Sequence, residues 1–315
     1  MLSAEPLHRA HHVLSQLYRA GMNAQNTIIG TYMRTFVLGL GAQKAGTTWV
    51  YTQLAKLPEF KAPNTKEMHI FDAVHLEECV WFRRKVEKDF SAALLKGRRH
   101  YEKTFVTKRM QMMLNQDEYF SYYDRLMDAD HCVSADVTPT YSGLPVEVLG
   151  SIRAEFEKLS IRTRVVFLMR EPVARLESAI RMRLRKTSKI EDISPEHMMG
   201  EMKTHAQSKQ DRVRSSYRDT VSRIRACFGD DEIHLGFYET MFQADELDRL
   251  GTFLGIDVSG FDTGERVNHT SKSFAYPRGF LLDLKESYAD NYAFATQDLS
   301  LEPEIWDRAL RKLSG

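Results

Sequence analysis

Short apolar runs, set apart by long stretches of helical periodicity, organise this chain. The runs at 35–40, 132–137, 165–169 and 233–237 have the length and composition of buried strands. Between them the apolar residues fall at helical spacing. Val173, Leu176, Ile180 and Leu184 follow a step of three or four, and Pro172 suits the first turn of that helix. Strands alternating with helices predict an α/β fold, a mainly parallel central sheet flanked by helices. Ligands of such sheets bind beyond the carboxyl ends of the strands, so the residues directly after each strand matter most.

The chain reads as a single domain over 1–315, without internal repeat, low-complexity tract or Pro/Gly linker. Two segments stand apart. In 1–34, Leu7, Leu14, Leu17 and Tyr18 predict an amphipathic N-terminal helix packed on the body. Residues 73–130 are charged, aromatic and Met-rich, with Trp81, Phe82, Tyr101, Tyr119, Tyr122 and Tyr123. They read either as a helical insertion shaping a substrate site or as a helical layer packed on the sheet.

Composition narrows the function without naming it. Of 315 residues, 43% are apolar and 28% charged, enough for a sizeable core. A net charge of +1 argues against general nucleic-acid binding, so an anion site has to come from local clustering. Arg175, Arg181, Arg183, Arg185 and Lys186 form such a cluster, or else a solvated basic helix face. The three cysteines, Cys79, Cys132 and Cys227, have no CxxC spacing, which disfavours a disulfide scaffold or zinc site. No apolar run reaches the roughly 18 residues of a transmembrane segment, and the first 34 residues lack a signal-peptide core. A cytoplasmic protein is expected; oligomeric state is unreadable.

The strongest chemical signal follows the first strand. The run 36–41 leads through Gly41 to Gln43-Lys44-Ala45-Gly46-Thr47-Thr48-Trp49, and helical character begins at Thr47. A strand, a glycine turn and a helix start make an anion site, because free amides and the helix dipole converge there. Gly41 and Gly46 have the spacing of a nucleotide triphosphatase loop, but there the lysine follows the second glycine. Here Lys44 precedes it and Thr47 stands in the lysine's place.

Lys44-Ala45-Gly46-Thr47-Thr48-Trp49 resembles the 5′-phosphosulfate loop of the sulfotransferases, Lys-x-Gly-Thr-Thr-Trp. The resemblance implies a P-loop-like sulfotransferase fold and a donor, 3′-phosphoadenosine 5′-phosphosulfate (PAPS). It implies that the loop amides hold the 5′-phosphate and that Lys44 neutralises the bridging oxygen. Trp49 is either an adenine contact or a core aromatic. A second junction, 165–172, ends in Arg170-Glu171-Pro172, with Ser178 eight residues after Arg170. A guanidinium at a strand end can fork onto a phosphate; the alternative is a buried Arg–Glu pair. The pattern resembles the family's 3′-phosphate motif. The later segments 237–239 and 253–255 resemble fold-bearing parts of the family. The segment 268–278, with Lys272 and Arg278, resembles its nucleotide-closing loop.

On the acceptor side, Thr65-Lys66-Glu67-Met68-His69-Ile70-Phe71-Asp72 resembles the Lys-Glu-x-His-Phe-Phe-Asp segment of carbohydrate sulfotransferases of the heparan sulfate type. It implies Glu67 as the base that takes the hydroxyl proton, with His69 as alternative base or acceptor-positioning group and Lys66 beside them. Asp136-Val137-Thr138-Pro139-Thr140-Tyr141 resembles that group's Glu-Lys-Thr-Pro-x-Tyr stretch, but Val137 replaces the lysine near the sulfate. Either Lys66 or another cation substitutes, or the acceptor differs. The expectation is in-line sulfuryl transfer from PAPS to a carbohydrate or small-molecule hydroxyl, without a metal. A P-loop kinase or triphosphatase and a non-catalytic nucleotide-binding protein are the alternatives.

Overall fold

The computed structural model describes residues 33–97, 104–265 and 274–314. Leu7, Leu14, Leu17 and Tyr18 of the expected N-terminal helix, Tyr101 and Lys272 lie outside them. Four parallel strands, β1 (Arg34–Gly41), β2 (Val133–Val137), β3 (Ile161–Met169) and β4 (Ile233–Phe237), form one sheet in the order β2-β1-β3-β4. All four expected runs are strands. β3 starts four residues earlier than its apolar run because Arg162 and Arg164 alternate with buried Ile161 and Thr163. That half-covered, period-two stretch carries no continuous apolar signal.

The strand order explains where a ligand can sit. From β1 the chain crosses to β2 on one side, whereas from β3 it crosses to β4 on the other. The crevice between the carboxyl ends of β1 and β3 is therefore the topological switch point. Helix α1 (Thr47–Leu54) follows β1 directly.

The segment 73–130 contains helices, and it joins the two expectations. Counting from α2 (Phe71–His75), it runs through α3 (Val80–Leu95), α4 (Phe105–Leu114) and α5 (Asp117–Leu126). α5 is a layer on the sheet: Tyr119 and Tyr123 are fully buried and meet Phe36 of β1 edge-on at 6.2 and 4.7 Å. Phe36 stacks at 4.2 Å on Phe156 from α6 (Val146–Lys158). α3 instead brings Trp81 and Phe82 to a cavity wall.

β3 leads into α7 (Pro172–Leu184), where Pro172 takes the first turn. Val173, Leu176, Ile180 and Leu184 are buried against Met198, Met202 and the C-terminal residues Phe280 and Leu281. This is the stripe that the periodicity marks, and Ser178 and Arg181 are left facing the cavity.

Candidate active site

The β1–α1 loop is shaped by two left-handed residues. Gly46 (φ 88°) caps α1 without any side-chain hydrogen bond, so the amides of the first turn are left for a ligand. A Cβ on Gly46 would lie 2.5 Å from Met241 Sδ, so only glycine fits. Lys44 takes φ 69° without being glycine, a strain of roughly 1–2 kcal/mol. Its carbonyl is held by Arg170, whose guanidinium donates to Lys44 O at 2.9 Å.

Arg170 leaves the end of β3 and lies over the Tyr238 ring at 4.4 Å. Among the described residues it forms no ion pair, so the buried Arg–Glu alternative does not hold. Its neighbour Glu171 is fully buried, but caps α7 by accepting from Val173 N (3.1 Å) and Ala174 N (2.6 Å). Burial pushes the Glu171 carboxyl up to about 7. Tyr238, which the sequence suggested only for the fold, thus supports the guanidinium.

Lys44, Gly46, Thr47, Thr48, Arg170 and Ser178 line one cavity of about 930 Å³. Burial lowers the Lys44 ammonium to about 8, helped by the positive charges of Arg170, Arg185, Arg181 and Lys66. Ala45 is fully buried, so its side chain belongs to the core. Trp49 also reaches the wall, yet is only 3% exposed. Its indole N–H donates to Asp262 O at 3.1 Å and its ring meets Phe242 edge-on at 5.0 Å, so the ring is packed into the core while still lining the cavity. Arg278 stands exposed at the start of a C-terminal helix, away from the cavity wall.

The basic cluster divides. Arg175 is buried and paired with Asp211, Arg181 meets Glu177 at 2.9 Å, and Arg183 pairs with Glu201. Arg185 and Lys186 are exposed at the cavity rim and form no ion pair among the described residues.

The two acceptor-side segments hold each other. Val137 N donates to Lys66 O at 2.9 Å, Met68 N to Asp136 Oδ1 at 3.2 Å, and Ile70 N to Tyr141 Oη at 3.1 Å. Residues 66–70 are thereby laid along the end of β2. Asp136 is fully buried; burial raises its carboxyl to about 6, while Thr138 and Tyr119 hydroxyls satisfy it at 2.6 and 2.9 Å.

His69 stands between two carboxylates, with Nδ1 2.7 Å from Asp72 Oδ2 and Nε2 3.2 Å from Glu67 Oε2. Burial alone would lower the imidazole, but the hydrogen bonds to Asp72 and Glu67 raise it. Burial alone would raise the Glu67 carboxyl, but His69 and Lys66 hold it down at about 2. Both shifts favour an imidazolium beside an ionised Glu67. Asp72 is fully buried and also accepts from Thr140 Oγ1 and Ala73 N. The sequence contains Asp72 three residues after His69 but gives it no role; only the turn into α2 reveals one. Phe82 stacks on the imidazole at 3.5 Å.

Val137 does not face this centre. A Cβ on its sheet partner Gly39 would lie 2.7 Å from Val137 Cγ1, so the valine fills the space over that glycine. Lys66 reaches the loop instead: its Nζ is 3.0 Å from Glu67 Oε1 and 3.4 Å from Thr47 Oγ1. Of the alternatives for the missing lysine, the geometry favours Lys66.

A protein-family model described as a sulfotransferase domain matches residues 34–289. The chain belongs to the sulfotransferase family. The matched span contains every sulfotransferase motif described above. A solved sulfotransferase from Alicyclobacillus acidocaldarius is similar in fold, with TM-score 0.55 and 15% identity over 88% of this chain and 100% of that one. The sulfotransferase domain of the Synechococcus PCC 7002 olefin synthase aligns with TM-score 0.44 and 16% identity over 81% and 94% of the two chains. Mouse sulfotransferase SULT7A1 complexed with PAP aligns with TM-score 0.39 and 13% identity over 88% of each. A search of curated proteins finds no significant match. No helix among the described residues is long and apolar enough to cross a membrane.

Proposed function

We propose that this sulfotransferase takes its sulfuryl group from PAPS and delivers it to a hydroxyl of a carbohydrate or small metabolite. One observation carries the reading: Arg170 bonds Lys44 O, so two anion-binding junctions 126 residues apart share one crevice. A donor with anions at both the 5′ and 3′ positions needs two such junctions at a fixed separation. The cavity has the volume for it, and Lys44, Arg170 and Arg185 offer positive charge.

The loop amides and Lys44 hold the 5′-phosphosulfate, while Arg170 and Ser178 hold the 3′-phosphate. When bound, the donor supplies a sulfuryl group whose bond to a phosphate oxygen breaks as the acceptor oxygen attacks sulfur. Lys44 and the amides face the oxygen that gains charge, a fixed electrostatic stabilisation. Glu67 takes the acceptor's proton. At a carboxyl pKa of about 2 it is a weak base, and the Lys66 ammonium is part of the cause. Lys66 also reaches Thr47, so drawing it toward the anion would release Glu67 and strengthen the base. His69, held by Asp72, orients Glu67 and supports its charge.

The test compares thermal shifts with 3′-phosphoadenosine 5′-phosphate (PAP) and with ATP plus magnesium. Stabilisation by PAP is expected. A shift with ATP and none with PAP would return the loop to the kinase or triphosphatase class. Transfer from radiolabelled PAPS to an acceptor panel then separates an enzyme from a non-catalytic binder.

A further inference from the structure

Three aromatic rings run outward from the acceptor side of the cavity. His69 stacks on Phe82 at 3.5 Å and 21°, and Phe82 stacks on Trp81 at 3.6 Å and 28°. Exposure rises along this ladder: His69 is buried, Phe82 half-buried, and Trp81 is 45% exposed. Trp81 and Phe82 open α3, and both line the cavity that contains Glu67 and Lys44. A tryptophan 45% exposed at the mouth of the cavity offers an apolar face that no side chain among the described residues covers fully.

We infer that Trp81 is an acceptor subsite, binding a pyranose ring one unit removed from the sugar that receives the sulfuryl group. This deepens the function proposed above and rests on it. Two side-chain rings separate the outer face of Trp81 from His69, so a ring stacked there lies outside the position next to Glu67. The acceptor therefore spans at least two units. The wall also carries charged and hydrogen-bonding side chains, Lys66, Gln210 and Arg214 among them, beside apolar residues such as Leu176, Ile180 and Met182. A ligand with C–H groups on one face and hydroxyls around its rim satisfies both surfaces. A flat aromatic acceptor would match Trp81 and leave the polar wall unpaired, at a cost in desolvation.

The chain carries its own reporter. Of its three tryptophans, Trp49 and Trp306 are 3% and 1% exposed, leaving Trp81 as the one in contact with water. Acrylamide quenching of intrinsic fluorescence therefore reads Trp81 selectively. The full chain, saturated with PAP, is titrated with disaccharides containing glucose, galactose, N-acetylglucosamine or glucuronate, with the matching monosaccharides, and with p-nitrophenol. At least one disaccharide should lower the quenching constant about twofold or more, and its monosaccharide should not. In transfer assays with that disaccharide, Trp81→Ala should raise the acceptor KM at least about 10-fold with the donor KM unchanged, and Trp81→Phe should restore most of it. No protection by any disaccharide, protection by p-nitrophenol alone, or an unchanged acceptor KM in Trp81→Ala overturns the inference. PAP binding is measured separately by thermal shift. Its absence defeats the donor assignment, whereas normal PAP binding with unprotected Trp81 defeats only the subsite.

Discussion

The Arg170 guanidinium donates to the main-chain carbonyl of Lys44 at 2.9 Å. This contact fastens a left-handed lysine to the end of the neighbouring strand, so the loop and the β3–α7 junction are held together. Arg170→Ala should weaken PAP binding about 100-fold, the upper range for a charged hydrogen-bonding group. Ser178→Ala, which removes one neutral donor, should cost about 10-fold. Calorimetry with PAP and with adenosine 5′-phosphate checks the assignment, because both variants should lose preference for the 3′-phosphate. A uniform loss on both ligands would make Arg170 a loop support only.

Lys44 gives donor binding a pH dependence. Its ammonium is lowered to about 8 in the free protein, by burial and then by the surrounding cations. A bound anion favours the charged form, so its lysine pKa rises in the complex. Binding is then at full strength below about 8 and weakens above it, approaching a tenfold loss per pH unit. PAP affinity measured across that range should show the slope, and Lys44→Met should abolish it. Lys44→Ala should also lower kcat/KM about 100- to 1,000-fold, as loss of a fixed electrostatic contact does.

Glu67 and Asp72 should separate by role. Glu67→Gln should reduce kcat about 100- to 10,000-fold, the range for a lost general base. Because the Glu67 carboxyl is held at about 2, it stays ionised in mild acid and contributes no acid limb there in the free enzyme. Asp72→Asn removes a cause of the raised His69 pKa, so NMR titration should show the imidazole titrating at lower pH. Retained activity in Glu67→Gln would transfer the base to His69.

Gly46→Ala tests the loop backbone. The new methyl group meets Met241 Sδ at 2.5 Å and requires φ 88° of an L-residue. Destabilisation of about 1–3 kcal/mol is expected from overpacking and strain, read by denaturant melts. PAP affinity should fall as well, and the double variant Gly46→Ala, Met241→Ala should recover stability more than affinity. Recovery of both in equal measure would assign the glycine to packing alone.

Much of the fold was legible because each strand is a short apolar run. The last part of each run is buried on both faces in β1, β2 and β3, and such strands write themselves continuously into the sequence. Arg162 and Arg164 hid the first half of β3, where one face is open. The stripe on α7 and the turn at Gly46 were equally readable, since periodicity and chirality are local constraints. Trp49 was ambiguous because a helix-borne aromatic beside a loop can face either way, and only the positions of Phe242 and Asp262 show how its ring is packed.

Around Lys44 and Arg170, the residue order alone marks two strand-end motifs able to bind anions. That follows from strand, turn and helix-start geometry, all fixed within a few residues. The three-dimensional fold alone brings the motifs to one crevice, because the order β2-β1-β3-β4 depends on pairings across the whole chain. It also decided that Lys66, not residue 137, reaches the loop, since Val137 fills the space over Gly39. The proton network of Glu67, His69 and Asp72 was decided the same way. Local chemistry is written in neighbouring residues, whereas a site assembled from distant segments exists only once the sheet has brought them together.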